Sequence, residues 1–127
     1  MTAGYSGTPL PRKLGIKEGS RVALVDPPDG FALDAPLVPL GPDLDVVLFF
    51  VWSRHELTAR YDRLAALLKP AGGLWIAWPK RASGLPTDLT ESVLREVVLP
   101  KGWVDTKVCA VDEQWSGLRF VRRLENR

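Results

Sequence analysis

Three of the five tryptophans, Trp52, Trp78 and Trp115, stand at the ends of apolar or alternating runs with charged residues close by. Arg54 follows the first, Lys80 follows the second, and Asp112 and Glu113 precede the third. Aromatic faces stack on flat rings, and arginine and lysine meet phosphate oxygens, so this set suits a small anionic or nucleotide-like ligand. A plainer use competes with it. A tryptophan at a strand end closes the edge of a core, and the cations are then solvated or pair with Asp112 or Asp88. Asp26 closes another apolar run, where an acid serves as a base or a metal ligand; ahead of Pro27 and Pro28 it also starts a turn. Residues 5–13 are rich in Gly, Ser and Thr. Folded over the strand ends as a lid, they bring Tyr5 or Lys13 to a ligand; docked on the sheet, they are packing.

Other reactive side chains point to structure. Ser53 and Glu56 have capping-box spacing, which uses the hydroxyl at a helix start and not as a nucleophile. His55 falls in that helix's first turn, and nothing brings it to Ser83 or Ser116. Cys109 sits in an alternating strand and reads as a small apolar group. One cysteine and one histidine leave no internal disulfide and no Cys/His metal site. No metal and no cofactor are expected.

These residues need a framework. Residues 21–25 read as a buried strand, and residues 45–51 as a continuous apolar strand of the kind covered on both faces by helices. Between them lie Pro27, Pro28, Pro36, Pro39 and Pro42, which exclude a long helix and allow at most a brief edge strand at Leu37-Val38. A helix begins at Ser53 with a stripe of Leu57, Tyr61, Leu64 and Leu68, and residues 69–73 end it. Residues 74–78 form the next strand. Thr87 or Asp88 caps a second helix, striped by Leu89, Val93 and Val97 and stopped at Pro100-Lys101-Gly102. Residues 103–111 and 118–122 form an antiparallel pair joined by a short turn. Residues 8–14 allow a short first helix. The order implies a three-layer α/β fold: a mostly parallel, Rossmann-like sheet of about five strands with a C-terminal antiparallel hairpin.

The chain has 127 residues, 46% hydrophobic and 25% charged, enough for one domain (residues 1–127) with one core. A net charge of +2 gives no case for nucleic acid or anionic lipid. The longest apolar run, residues 46–52, is far short of the roughly 20 residues that span a bilayer. With no signal peptide in view, a cytoplasmic protein is expected.

Leu14-Gly15-Ile16-Lys17-Glu18-Gly19-Ser20-Arg21-Val22 and Leu67-Leu68-Lys69-Pro70-Ala71-Gly72-Gly73 resemble segments that lead into central strands of class I methyltransferases, a Rossmann-related fold. The resemblance implies a pared-down version of that architecture. The family's glycine-rich loop, which lets backbone approach the donor, is replaced by Asp26-Pro27-Pro28-Asp29-Gly30-Phe31. Residues 31–44 are also too few for the further βα units that carry a ribose-binding acid. Residues 5–10, 13–16, 78–80, 87–90 and 111–119 more narrowly resemble the bacterial family called domain of unknown function 3052, which implies no activity. The sequence therefore points first to a non-catalytic binding or regulatory module for a nucleotide-like ligand at the strand ends. The alternatives are an enzyme, either a degenerate S-adenosylmethionine-dependent methyltransferase or another small-molecule enzyme, and a protein-interaction module, self-associating or with a protein partner.

Overall fold

A computed structural model describes residues 7–127. A short helix α1 (Leu10–Lys13) precedes β1 (Val22–Val25), β2 (Leu44–Phe50), α2 (Arg54–Ala65), β3 (Leu68–Pro79), α3 (Glu91–Val98), β4 (Trp103–Ala110) and β5 (Trp115–Arg122). The sheet order is β1-β2-β3-β5-β4. β1, β2 and β3 are parallel, β5 is antiparallel to both its neighbours, and β4 therefore runs with the first three. The sheet is thus mixed, with four strands in one direction and one reversed.

Every residue of β2 except Asp45 is buried, as the unbroken apolar run requires of a strand covered on both sides. Alternation divides the interior into two cores. Ala23, Val47, Phe49, Ile76 and Phe120 face α2 and α3. Val22, Leu48, Phe50, Trp75 and Trp115 face the other way, toward Leu14 and Leu33. Helices were expected on both faces. The second face is instead covered by α1 and the irregular chain that follows β1, because the prolines there exclude a longer helix. Leu37-Val38 makes no strand; the Val38 N–H donates to the Val22 carbonyl at 2.8 Å, and the pairing goes no further.

At α2, Ser53 Oγ accepts the Glu56 N–H at 3.1 Å, while the Glu56 carboxylate accepts the Trp52 N–H at 3.0 Å. The box closes one residue earlier than its usual form. The expected helix through Leu68 ends at Ala65, and after a turn at Ala66 and Leu67 β3 begins at Leu68. The Arg122 guanidinium makes this possible by donating to the carbonyls of Ala65 and Lys69, each at 2.8 Å, and of Leu68 at 3.3 Å. The bond to Ala65 satisfies a carbonyl that the helix end leaves without a partner, and the other two tie the start of β3 to the same side chain. Between Leu44↔Leu68 and Val46↔Gly73, β3 takes five steps where β2 takes two, so residues 69–72 bulge.

α3 is capped by Thr90, whose Oγ1 accepts the Val93 N–H at 3.2 Å, and not by Thr87 or Asp88. Those two fasten the preceding loop to the start of α2. The Thr87 hydroxyl donates to the Trp52 carbonyl at 2.6 Å, and Asp88 accepts the Arg54 N–H at 2.9 Å. No helix is long and apolar enough to cross a membrane among the described residues.

Candidate functional site

The strand directions bring the segments after β1, β2 and β3 and the β4–β5 turn to one edge of the sheet, where open α/β sheets bind ligands. A cleft of about 530 Å³ opens there on the face opposite α2 and α3. Residues 7–10 and Lys13 form one wall, Gly30, Phe31 and Ala32 a second, and Val111 and Asp112 a third. The volume falls in the roughly 300–1,000 Å³ range of small-molecule sites.

Each wall has a local cause. α1 is held to the sheet by the buried Trp75 indole, whose N–H donates to the Leu14 carbonyl at 3.0 Å. Gly30, at φ 82°, turns the chain so that the Phe31 N–H reaches the Pro28 carbonyl at 3.0 Å. Asp112 Oδ1 accepts the N–H groups of Gln114 at 2.8 Å and Trp115 at 2.9 Å, fixing the hairpin turn. Edge-to-face rings run through the site: Phe31 to Phe50 at 4.8 Å, Phe50 to Trp115 at 5.1 Å, and Trp115 to Trp52 at 4.9 Å. Phe31 ends this row in the cleft, and Trp52, 41% exposed, ends it at the surface.

Of the residues singled out in the sequence, Lys13 and Asp112 line the cleft, and Trp115 and Trp52 belong to the row of rings. Residues 7–10 and Lys13 line the cleft, and Leu10 packs against the core beneath it; Tyr5 lies outside the described residues. Trp78 is not with the other two tryptophans. Pro79 pairs with Trp115, so Trp78, one residue earlier, points to the opposite face and is buried beneath the helices. It borders a separate hollow of about 460 Å³ with Arg81, Leu85 and Glu91. Arg54 turns away from the cleft and donates to Glu96 at 2.8 Å. Lys80 is half-buried, and its main-chain N–H donates to the Gln114 carbonyl at 2.8 Å. Asp26, with φ 53°, is ion-paired to Arg60 on α2.

Cys109 is half-buried on the face of Trp75, where burial pushes its thiol up against the opposing pull of Lys13 and Lys107. Among the described residues no three His, Cys, Asp or Glu side chains are grouped to hold a metal. Thr8 and Phe31 fall in segments 5–13 and 26–31 that the sequence brings to the strand ends, though neither was singled out as a ligand residue. Val111 lies outside the segments so placed. The turn signal at Asp29-Gly30 was legible, but nothing local shows that Phe31 folds back onto β2.

No protein-family model and no curated protein matches the chain in sequence. Its fold does match solved structures. One is a magnesium protoporphyrin IX methyltransferase from Synechocystis PCC 6803 with bound SAH, at TM-score 0.53 and 17% identity over 66% of this chain and 47% of that one. Another, from Sulfolobus solfataricus and assigned to the type 11 methyltransferases, matches at TM-score 0.50 and 18% identity over 65% of this chain and 53% of that one. The chain thus spans about half the length of each. This likeness corrects the first functional expectation, a non-catalytic binding or regulatory module. Both of these solved structures are methyltransferases, a finding that favours the enzyme alternative over that module. The chain is a mixed five-stranded α/β domain with a methyltransferase-like fold.

Proposed function

We propose that the chain is a degenerate methyltransferase, an enzyme built on that scaffold with its ligand seat moved into the cleft beside α1. The observation that carries the proposal is the cleft's position. It lies at the strand ends of a methyltransferase-like sheet, with an aromatic wall, a lysine and a carboxylate around it.

The Synechocystis enzyme binds SAH, the demethylated form of the donor S-adenosylmethionine. At the carboxyl end of β1 the residues present do not fit that donor. Pro27 and Pro28 offer no N–H, Asp26 is engaged by Arg60, and Phe31 is folded against Phe50. The neighbouring cleft is the place left for a nucleoside-like molecule. There Phe31 offers a ring for stacking, and Lys13 and Asp112 bring charge of both signs to the lining. The closed mouth of β1 also favours the second form of the enzyme reading, a small-molecule reaction that does not use the methyl donor. The narrower likeness to the family called domain of unknown function 3052 rests on the quoted segments and adds no chemistry.

Titration with S-adenosylmethionine, SAH and adenosine nucleotides, followed by tryptophan fluorescence and melting temperature, tests the proposal. A saturable response is expected that weakens about tenfold in Phe31→Ala, the loss of one stacking contact. Arg81→Ala, in the hollow on the other face, leaves it unchanged. Binding of the donor with transfer of a labelled methyl group assigns methylation, whereas binding of nucleotides alone assigns the second form. Wild-type affinity in both Phe31→Ala and Lys13→Met overturns the cleft as the site.

A further inference from the structure

Behind α1, on the same face of the sheet as the cleft, lies a smaller hollow of about 310 Å³ lined by Lys13, Leu14, Gly15, Thr106, Lys107 and Arg119. Lys13 borders both spaces. Three cationic side chains thus surround one concavity, although the protein's net charge is only +2. Elsewhere Arg54, Arg60, Lys69, Arg95 and Lys101 are each paired with a carboxylate. Lys107 and Arg119 form no ion pair among the described residues.

The position of Arg119 is built. Register sets it beside Trp75 on β3 and Lys107 on β4, in one row across the sheet. Its guanidinium lies over Gly73, where a Cβ would stand 2.7 Å from Nε, so a residue with a side chain there would displace it. Nη1 donates to the Thr106 hydroxyl at 3.2 Å. Burial, and then the charge of Arg127, act against the guanidinium's own charge. A half-buried cation without a counter-ion is costly, and a bound oxyanion reverses the cost by giving the forked donors an acceptor.

We infer that this hollow is an oxyanion subsite that takes a phosphate group carried by the occupant of the cleft, held by Arg119 and Lys107 with Lys13 between the two spaces. For the occupant, the inference rests on the reading of the cleft given above; for the anion, it rests on these residues alone. It narrows the substrate class from nucleoside-like to phosphorylated. Free inorganic phosphate shares the chemistry, and Lys107 also has a simpler use, as a charge that guards the edge strand β4 against pairing with other chains.

Calorimetric titration at low salt with adenosine, adenosine 5′-monophosphate and inorganic phosphate separates these sources. The monophosphate is expected to bind about tenfold more tightly than adenosine, the effect of a charge-assisted hydrogen bond. That advantage disappears in Arg119→Gln and falls in Lys107→Ala, an exposed change that leaves the fold intact. Equal affinity for adenosine and its monophosphate overturns the subsite and leaves the cleft standing. A phosphate advantage that survives both substitutions also overturns it. Phosphate binding that is lost in Lys107→Ala, with no binding of adenosine, supports the subsite and removes the reading of the cleft. No binding of any of the three overturns both.

Discussion

Asp45 joins the amino ends of three strands. Its carboxylate accepts the Arg21 N–H at 2.8 Å, just before β1, and faces Lys69 of β3 at 3.1 Å. The Arg21 hydrogen bond, helped by Lys69, lowers its pKa below the ordinary 3.8 against the effect of burial. A carboxylate whose pKa falls on folding adds stability above its unfolded value and loses that stability as pH drops through the folded one. Asp45→Ala is therefore expected to cost about 1 kcal/mol at pH 7 and less at pH 2. Urea midpoints at the two pH values check this, and an equal loss at both would contradict it. At this scale the sequence was read well where a residue's role depends on near neighbours. Ser53 caps its helix and Cys109 packs, as their surroundings in the chain imply. It was read poorly where a role depends on register. Trp78 and Trp115 looked like partners, and only the pairing of Pro79 with Trp115 sends them to opposite faces.

Among the elements, the β4–β5 hairpin governs the third wall of the cleft. Gly117 of β5 lies so close to its surroundings that a Cβ would meet Val111 Cγ2 at 3.0 Å and the Trp75 ring at 3.2 Å. Gly117→Ala is expected to cost about 1–3 kcal/mol through overpacking and to weaken ligand binding by shifting Val111, measured by denaturant unfolding and titration of the same sample. The five strands and two main helices were legible from apolar runs, caps and stops. Their limits were less so, because long-range groups set them. The end of α2 depends on Arg122, more than fifty residues away, and the strand start at Leu68 follows from that. α3 starts later than expected: the Thr87 hydroxyl accepts the Leu89 N–H in a local turn while donating to the Trp52 carbonyl, and Thr90 caps the helix.

Across the whole molecule, one face of the sheet is covered by two helices and the other by a short helix and a proline-rich segment. The lining of the cleft comes from this second cover and from the β4–β5 turn, which lack strong periodicity. The sheet could therefore be read from sequence while most of the site could not. The sheet order also ranks the strands: β2, β3 and β5 have a partner on each side, and β1 and β4 are edges. Native-state hydrogen exchange is expected to be slowest in the three inner strands and faster in the two edge strands, and slowest exchange in β4 would contradict the order. The same order bears on how the chain is made. β5 follows β4 in sequence yet lies between it and β3, so β4 has no place in the sheet until β5 has joined β3. Until then β4 depends on a lone hairpin, which is marginal in water, and its outer edge lies open to other chains.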